Sequence, residues 1–130
     1  AISGEILLGN LLEKMIQISI ENAGAQRGVL LLEKDGNFVV EADGKADNKI
    51  EILKSIQIEN ANIPISILNY VIRTTQPIVI ADGQKDSRFN KDVYIQNNRI
   101  RSILCMPIIG QGKLTGILYL ENNLITNAFT

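Results

Sequence analysis

The stretch SILCMPIIGQGKLTGILYLEN, residues 102–122, decides the fold of this chain. Two mainly apolar runs, 103–109 and 114–121, flank the tetrapeptide GQGK at 110–113. Glycine adopts the positive φ angles that a tight hairpin turn requires. The spacing therefore predicts a two-stranded antiparallel hairpin, with Cys105, the only cysteine of the 130 residues, in its first strand.

Similar patterns occur earlier in the chain. Residues 29–32 and 38–42 are apolar or alternating and flank an Asp35-Gly36 pair, which predicts a second hairpin. Alternating isoleucines over 50–58 and the apolar run 78–80 predict two further strands. The polar residues 43–49 between them are typical of a loop.

Three segments have helical spacing. From Gly4 to Gly24 apolar residues recur every three or four positions, with Ser3 suited to begin the helix and Gly24 to end it. The apolar arc of this helix covers about 220°, which is more than one core needs, so we expect it to contact two partners. Shorter helices are predicted at 65–74, after Pro64, and near 93–98. Hairpins combined with helices indicate an α+β domain on a largely antiparallel sheet.

The composition limits the function. The chain has the length of one domain, and its 45% hydrophobic and 21% charged residues are typical of a folded globular protein. Thirteen basic and fourteen acidic residues nearly cancel, so no field attracts nucleic acid or anionic lipid. No apolar run is long enough to insert into a membrane, and a single cysteine fits a reducing compartment, so we expect a cytoplasmic domain. The absence of histidine argues against imidazole-dependent hydrolases, histidine-ligated haem and most catalytic zinc sites.

Three segments carry a family likeness, namely LLEKMIQISIENAGAQRGVLLLEKDG (11–36), PISILNYVIRTTQPIVIADGQKDSRFNKDVYIQ (64–96) and SILCMPIIGQGKLTGILYLENN (102–123). On these residues the chain resembles a GAF domain of the type found in multidomain cyanobacterial sensor kinases. The resemblance implies a GAF/PAS-like fold, with a central six-stranded, mainly antiparallel sheet, helices on both faces, and a ligand pocket roofed by residues 65–74 and 86–101. The family's C-terminal helix is absent, and we interpret residues 1–130 as a single GAF domain of a longer multidomain protein.

The resemblance implies a sensory or regulatory module of a two-component signal-transduction protein. Such a module binds a small molecule, here unknown, and relays the signal to a kinase output through its end helices. A structural dimerisation or spacer domain with a self-filled pocket is the alternative. The domain itself is not expected to be an enzyme, although its parent protein is expected to be a protein kinase. The wide apolar arc predicts a homodimer through the helix that begins at Glu5 and ends at Ala23.

Six residues in or next to the expected roof segment 86–101 are candidates for ligand binding: Asp82, Arg88, Phe89, Tyr94, Arg101 and Ser102. A guanidinium group such as that of Arg88 can hold a carboxylate or phosphate in a forked geometry. The competing interpretation is a loop held by local hydrogen bonds, with Arg88 paired to Asp86 or Asp92 and Phe89 in the core.

Cys105 has a structural and a chemical interpretation. A free cysteine in an alternating strand is typically a buried small hydrophobe, which is the interpretation we favour. Bilin-binding members of the family place their cysteine in the helical pocket region, often followed by histidine, so no bilin is expected here. Thiol exchange needs a second cysteine, and an iron site built from Cys105 with Asp82, Asp86 or Tyr94 would lack histidine. The sequence therefore predicts no catalytic residue, no metal and no cofactor.

Overall fold

The computed structural model describes residues 4–46 and 50–129, which form a six-stranded antiparallel sheet with helices on both faces. The helices are α1 (Gly4–Ala23), α2 (Ile65–Thr74) and α3 (Val93–Asn98). The strands are β1 (Arg27–Lys34), β2 (Asn37–Lys45), β3 (Glu51–Gln57), β4 (Ile78–Ile80), β5 (Ser102–Gly110) and β6 (Lys113–Asn122). The order across the sheet is β3-β2-β1-β6-β5-β4, and the predicted α+β class is confirmed.

Both predicted hairpins are confirmed. Strands β1 and β2 pair around the Asp35-Gly36 turn, and β5 and β6 pair along their whole length. In each turn the two central residues have positive φ, at 52° and 87° for Asp35 and Gly36, and at 51° and 76° for Gln111 and Gly112. Two successive positive φ values match the twist of the flanking strands. The first left-handed position in the final turn is thus taken by Gln111 and not by Gly110.

Helix α1 covers one face of the sheet. Its side chains Leu12, Ile16 and Ile20 are buried against Leu30 and Leu120, which lie on β1 and β6. The four-residue spacing of these helical positions places them on one stripe, as the sequence predicts. Neither α1 nor any other helix in the described part of the chain is long and apolar enough to cross a membrane.

Other apolar side chains of α1 remain outside this contact. Leu11, Met15 and Ile18 belong to the same apolar arc, but they are 56%, 40% and 48% exposed. The helix ends where predicted, because Gly24 has a φ of 71°. The predicted N-terminal cap, Ser3, lies outside the described residues. The sheet therefore covers only part of the apolar arc of α1.

The opposite face of the sheet carries the larger core, beneath α2 and α3. Ile67, Leu68 and Val71 of α2 and Ile95 of α3 are fully buried there, together with Tyr119 of β6. The volume directly under α2 is therefore filled by the domain's own side chains.

Two strand ends differ from the sequence prediction. Strand β2 continues to Lys45 through residues that were predicted to form a loop, and residues 47–49 of that loop lie outside the described residues. Gly44 explains the extension, because a Cβ there would lie 2.7 Å from Ile50 and 2.8 Å from Ile16, so only glycine lets the strand pass beneath α1. Strand β3 ends at Gln57, one residue before the predicted end, and residues 58–60 form a 3₁₀ turn.

Candidate functional site

A buried arginine lies at one end of the sheet, next to helix α3. Arg27, the first residue of β1, is 8% exposed. Its Nε and Nη2 atoms donate to the two carboxylate oxygens of Asp43 on β2, at 2.9 and 2.8 Å. Its Nη1 atom donates to the backbone carbonyl oxygen of Asn62, at 2.7 Å, and to the hydroxyl of Tyr94, at 2.6 Å. One guanidinium group thus connects the start of β1 and the end of β2 to the loop before α2 and to helix α3.

Glu121, near the end of β6, completes this group. Its Oε1 atom accepts hydrogen bonds from the hydroxyls of Tyr94 and Tyr119, at 2.8 and 2.7 Å, and lies 3.7 Å from Nη1 of Arg27. Arg27 and Glu121 are also direct neighbours in the β1–β6 register. We call the set Arg27, Asp43, Asn62, Tyr94 and Glu121 the Arg27 clamp.

Burial and neighbouring charges shift the pKa values of Arg27 and of the two tyrosines that donate to Glu121. Burial alone would lower the pKa of Arg27, but the hydrogen bond to Asp43 and the surrounding negative groups raise it further, so the guanidinium keeps its charge. Burial and the carboxylate of Glu121 raise the pKa of Tyr94 against the opposing effect of Arg27, and burial and Glu121 likewise raise that of Tyr119. Both phenols are therefore neutral donors, and the cluster of one cation and two carboxylates is net negative.

A pocket of about 360 Å³ opens beside the clamp, between the loop before α2 and helix α3. We call it the α2–α3 pocket. Its polar lining residues are Asn62, Asp92, Tyr94, Asn97 and Asn98, and its apolar ones are Ala61, Ile63, Ile65 and Val93. The volume is at the lower end of the range of small-molecule sites.

The polar groups of the pocket differ in how far they are already engaged. Asp92 caps α3, because Oδ1 accepts from the backbone amides of Tyr94 and Ile95, while Oδ2 accepts from the amide and hydroxyl of Ser66 on α2. The carboxamides of Asn62 and Asn97, in contrast, make no hydrogen bond within the described parts of the chain. These two side chains are therefore available to a bound molecule.

Of the six residues singled out from the sequence, the structure places Tyr94 in this pocket and the others elsewhere. Phe89 is 7% exposed and belongs to the core under α2. Arg101 donates to the carbonyl of Leu124 at 3.1 Å. Ser102 is buried, donates to the carbonyl of Ile125 at 2.7 Å and accepts from the amide of Ala128 at 3.0 Å. These last two residues fasten the segment after β6.

Asp82 and Arg88 lie in the turn region after β4. Asp82 accepts a hydrogen bond from the amide of Gln84 at 3.0 Å. Arg88 is half-exposed and pairs with Asp86 at 3.2 Å, and although burial opposes it, this pairing lowers the pKa of Asp86. The structure therefore matches the local-loop interpretation, with Asp86 and not Asp92 as the partner of Arg88.

Cys105 lies in β5 between Ile78 of β4 and Tyr119 of β6. The side chain is fully buried, and burial raises the pKa of its thiol to about 12. A thiol with that pKa is almost wholly protonated at physiological pH and is a poor nucleophile. Among the residues that the structure describes, no group of three or more histidine, cysteine, aspartate or glutamate side chains is arranged to hold a metal ion.

Sequence reasoning missed four of the five clamp residues. The sequence pattern places Asp43 in a loop, and it does not distinguish Arg27, Asn62 or Glu121 from their neighbours. A signal did exist, since Arg27 and Glu121 are opposite charges in otherwise apolar strands, and such pairs often lie across from each other. Finding it requires knowing that β1 pairs with β6, which the sequence alone does not specify.

The model of the GAF domain family matches residues 8–130 of this chain. A 69-residue segment is 44% identical to hybrid signal transduction histidine kinase G of Dictyostelium discoideum, covering 53% of this chain and 2% of that protein. Over 123 residues, the chain is 24% identical to the peroxide stress-activated histidine kinase of Schizosaccharomyces pombe, covering 92% of this chain and 5% of that protein. The chain thus spans only a small part of each kinase.

Among solved structures, the fold is similar to the GAF domain region of a putative membrane protein from Geobacter sulfurreducens. The TM-score is 0.72 at 15% sequence identity, and the match covers 97% of this chain and 82% of that one. At this level of identity the likeness supports the fold alone.

Proposed function

The chain belongs to the GAF domain family, and from this premise we propose that it is a sensory module of a cytoplasmic signal-transduction protein with a kinase output. In this proposal a small molecule binds in the α2–α3 pocket and the end helices relay its presence. The observation that carries the proposal is that Tyr94 lines the pocket and is also held by the buried Arg27. A molecule in the pocket would therefore contact a residue that is hydrogen-bonded to the end of the sheet.

The lining chemistry favours an uncharged or cationic polar ligand. None of the nine lining residues is basic, one is a carboxylate, and the clamp beneath is net negative. An anion would meet no positive side chain there, because Arg27 is buried and already bound to Asp43 and Glu121. The free carboxamides of Asn62 and Asn97 offer both donors and acceptors to such a ligand.

The test is native mass spectrometry of the domain purified without denaturation, followed by thermal-shift screening with small neutral, cationic and anionic metabolites. We expect an added mass, or a raised Tm with a neutral or cationic compound. Asn97→Trp should fill the pocket and abolish the effect, whereas Asn69→Trp, an exposed asparagine on α2 away from the pocket, should retain it. No added mass and no shift with any class would overturn ligand sensing. An absorption spectrum of the same sample tests the expectation that no bilin, haem or iron is bound.

We further propose that α1 mediates a homodimer, which would allow a relay between two outputs. Leu11, Met15 and Ile18 are exposed and recur at spacings of four and three, which is the a/d spacing of a coiled coil. Light scattering over a concentration series should give twice the chain mass. Ile18→Glu should give a monomer and Asn10→Glu, an exposed position of α1 off the stripe, should not. A monomeric wild-type domain at all concentrations would contradict the dimer.

A second candidate, the structural dimerisation or spacer domain, is favoured by the filled core. Ile67, Leu68, Val71 and Tyr119 occupy the volume under α2 with almost no exposure. A spacer predicts a dimer without any ligand effect, so the two experiments above separate the candidates.

A further inference from the structure

The two walls of the α2–α3 pocket are joined by one atom. Nη1 of Arg27 donates to the carbonyl of Asn62 on one wall and to the hydroxyl of Tyr94 on the other, at 2.7 and 2.6 Å. Hydrogen bonds from a charged donor are stronger than neutral ones. The width of the pocket is therefore tied to the position of this guanidinium group.

The same guanidinium group is fixed to the sheet beside the end of α1. Arg27 follows the last residue of α1, Ala23, after a connection of three residues. The two-pronged bond to Asp43 holds its side chain in a single orientation. A displacement of Arg27 must therefore move either β2 or the connection from α1 to β1.

The end of β6 is bound to that connection as well. The amide of Gln26 donates to the carbonyl of Glu121 at 2.9 Å, and the side-chain amide of Asn122 donates to the carbonyl of Gly24 at 2.9 Å. The amide of Asn123 donates to the side-chain oxygen of Gln26 at 2.6 Å. The chain entering β1 and the chain leaving β6 thus share one hydrogen-bonded junction, which we call the 24–27/121–123 junction.

We propose that the Arg27 clamp couples the α2–α3 pocket to this junction, and through it to the end of helix α1. A molecule that separates Asn62 from Tyr94 must break at least one of the two Nη1 hydrogen bonds. Where Tyr94 is the residue that moves, its hydroxyl also moves away from Glu121, to which it donates. Through Arg27 and Glu121, Tyr94 of α3 is hydrogen-bonded to both segments of the 24–27/121–123 junction. The proposal deepens the proposed function by giving its route of transmission, and it rests on that function for the identity of the signal only.

The clamp can be tested without any ligand, by removing one oxygen atom. Tyr94→Phe deletes the hydroxyl that joins Arg27 to Glu121 and keeps the ring that lines the pocket. Tyr70→Phe is the matched control, since Tyr70 lies on α2 and its hydroxyl has no hydrogen bond among the described residues. Both variants should fold, because neither removes a charge or a core side chain.

Amide hydrogen exchange of the 130-residue chain, resolved by residue, measures the coupling. In Tyr94→Phe, the amides of Ala25, Gln26 and Asn123 should exchange about tenfold faster than in the wild type, because local opening of the junction becomes easier. Ala25 is included because its amide bonds to the carbonyl of Ile20 and so reports on the end of α1. Tyr70→Phe should leave all three rates unchanged.

Asp43→Asn provides a second, independent perturbation, because it loosens the guanidinium from the β2 side. It should accelerate exchange at the same three amides. Unchanged junction rates in both Tyr94→Phe and Asp43→Asn would overturn the coupling, even if a ligand is found in the pocket. Conversely, accelerated rates with no ligand found would sustain the coupling and count only against the proposed sensing function.

Discussion

Replacement of Arg27 by methionine should be among the most destabilising single changes in this domain. Methionine retains an unbranched apolar side chain but removes the cation that faces Asp43 at 2.8 Å and Glu121 at 3.7 Å. Breaking a buried ion pair costs about 3–5 kcal/mol, because the remaining charge is buried without compensation. The side chain of Asp43 is 22% exposed and recovers some hydration, so we expect about 3 kcal/mol. For a domain of this size, that loss lowers Tm by about 10–15 °C.

Urea denaturation and calorimetry of four variants would measure this cost. Arg88→Met is the control, since Arg88 forms an exposed pair with Asp86 and exposed pairs contribute about 0–1 kcal/mol. Asp43→Asn and the double variant Arg27→Met with Asp43→Asn complete a cycle, in which the double variant should be more stable than the sum of the two single effects by about 1–3 kcal/mol. If Arg27→Met costs no more than Arg88→Met, the clamp does not hold the sheet end as we describe.

Three further predictions concern residues outside the clamp. Above about pH 9 the free energy of unfolding should fall by up to about 1.4 kcal/mol per pH unit, because the unfolded Cys105 thiol loses its proton while the folded one, with a pKa of about 12, keeps it. Urea titrations at about pH 8 and about pH 10 should show a smaller loss of stability for Cys105→Ala than for the wild type. An equal loss in the two proteins would refute the burial of this thiol. Gly83→Ala should lower the free energy of unfolding by more than about 1 kcal/mol, since its Cβ would lie 2.6 Å from the carbonyl oxygen of Ile100. Gly110→Ala, whose Cβ meets only a side chain at 3.2 Å, should change stability by less than about 0.5 kcal/mol. Similar urea midpoints for the two variants would argue against the contact at Gly83. Ser102→Ala should cost about 1–2 kcal/mol by deleting two hydrogen bonds to the 125–128 segment, and limited proteolysis should then cut that segment faster than in the wild type.

The features that the sequence predicts well are those set by neighbouring residues. Asp35-Gly36 and Gly112 specify their hairpins through local φ preferences, and the spacing of α1 specifies which of its side chains face the sheet. The family resemblance adds the number of strands and the helices on both faces, which the family match and the structure confirm.

The clamp lies beyond such reasoning because its members are distant in sequence. Arg27 and Tyr94 are 67 positions apart, and Arg27 and Asn62 are 35 apart. Their meeting depends on β1 lying next to β6 and on α3 lying over the end of that pair, and a one-residue shift in register would turn Arg27 to the other face. Arg88 is different, since its partner Asp86 is only two positions away, but a sequence pattern cannot show whether an arginine in a polar loop is bound locally or is free to hold a ligand.

The filled interior and the pocket at its edge differ in what a bound molecule would have to displace. A ligand under α2 would have to displace Ile67, Leu68 and Tyr119 from a close-packed core, at a large cost in lost contacts. A ligand in the α2–α3 pocket would instead lie against α3, a six-residue helix that contacts the end of the sheet through the hydroxyl of Tyr94. A molecule that merely fills the pocket would bind equally well to both states of the clamp and would shift neither. Under the proposed function, a ligand that drives the relay must therefore fit better when Tyr94 and Asn62 are apart, so that its binding energy opens the clamp.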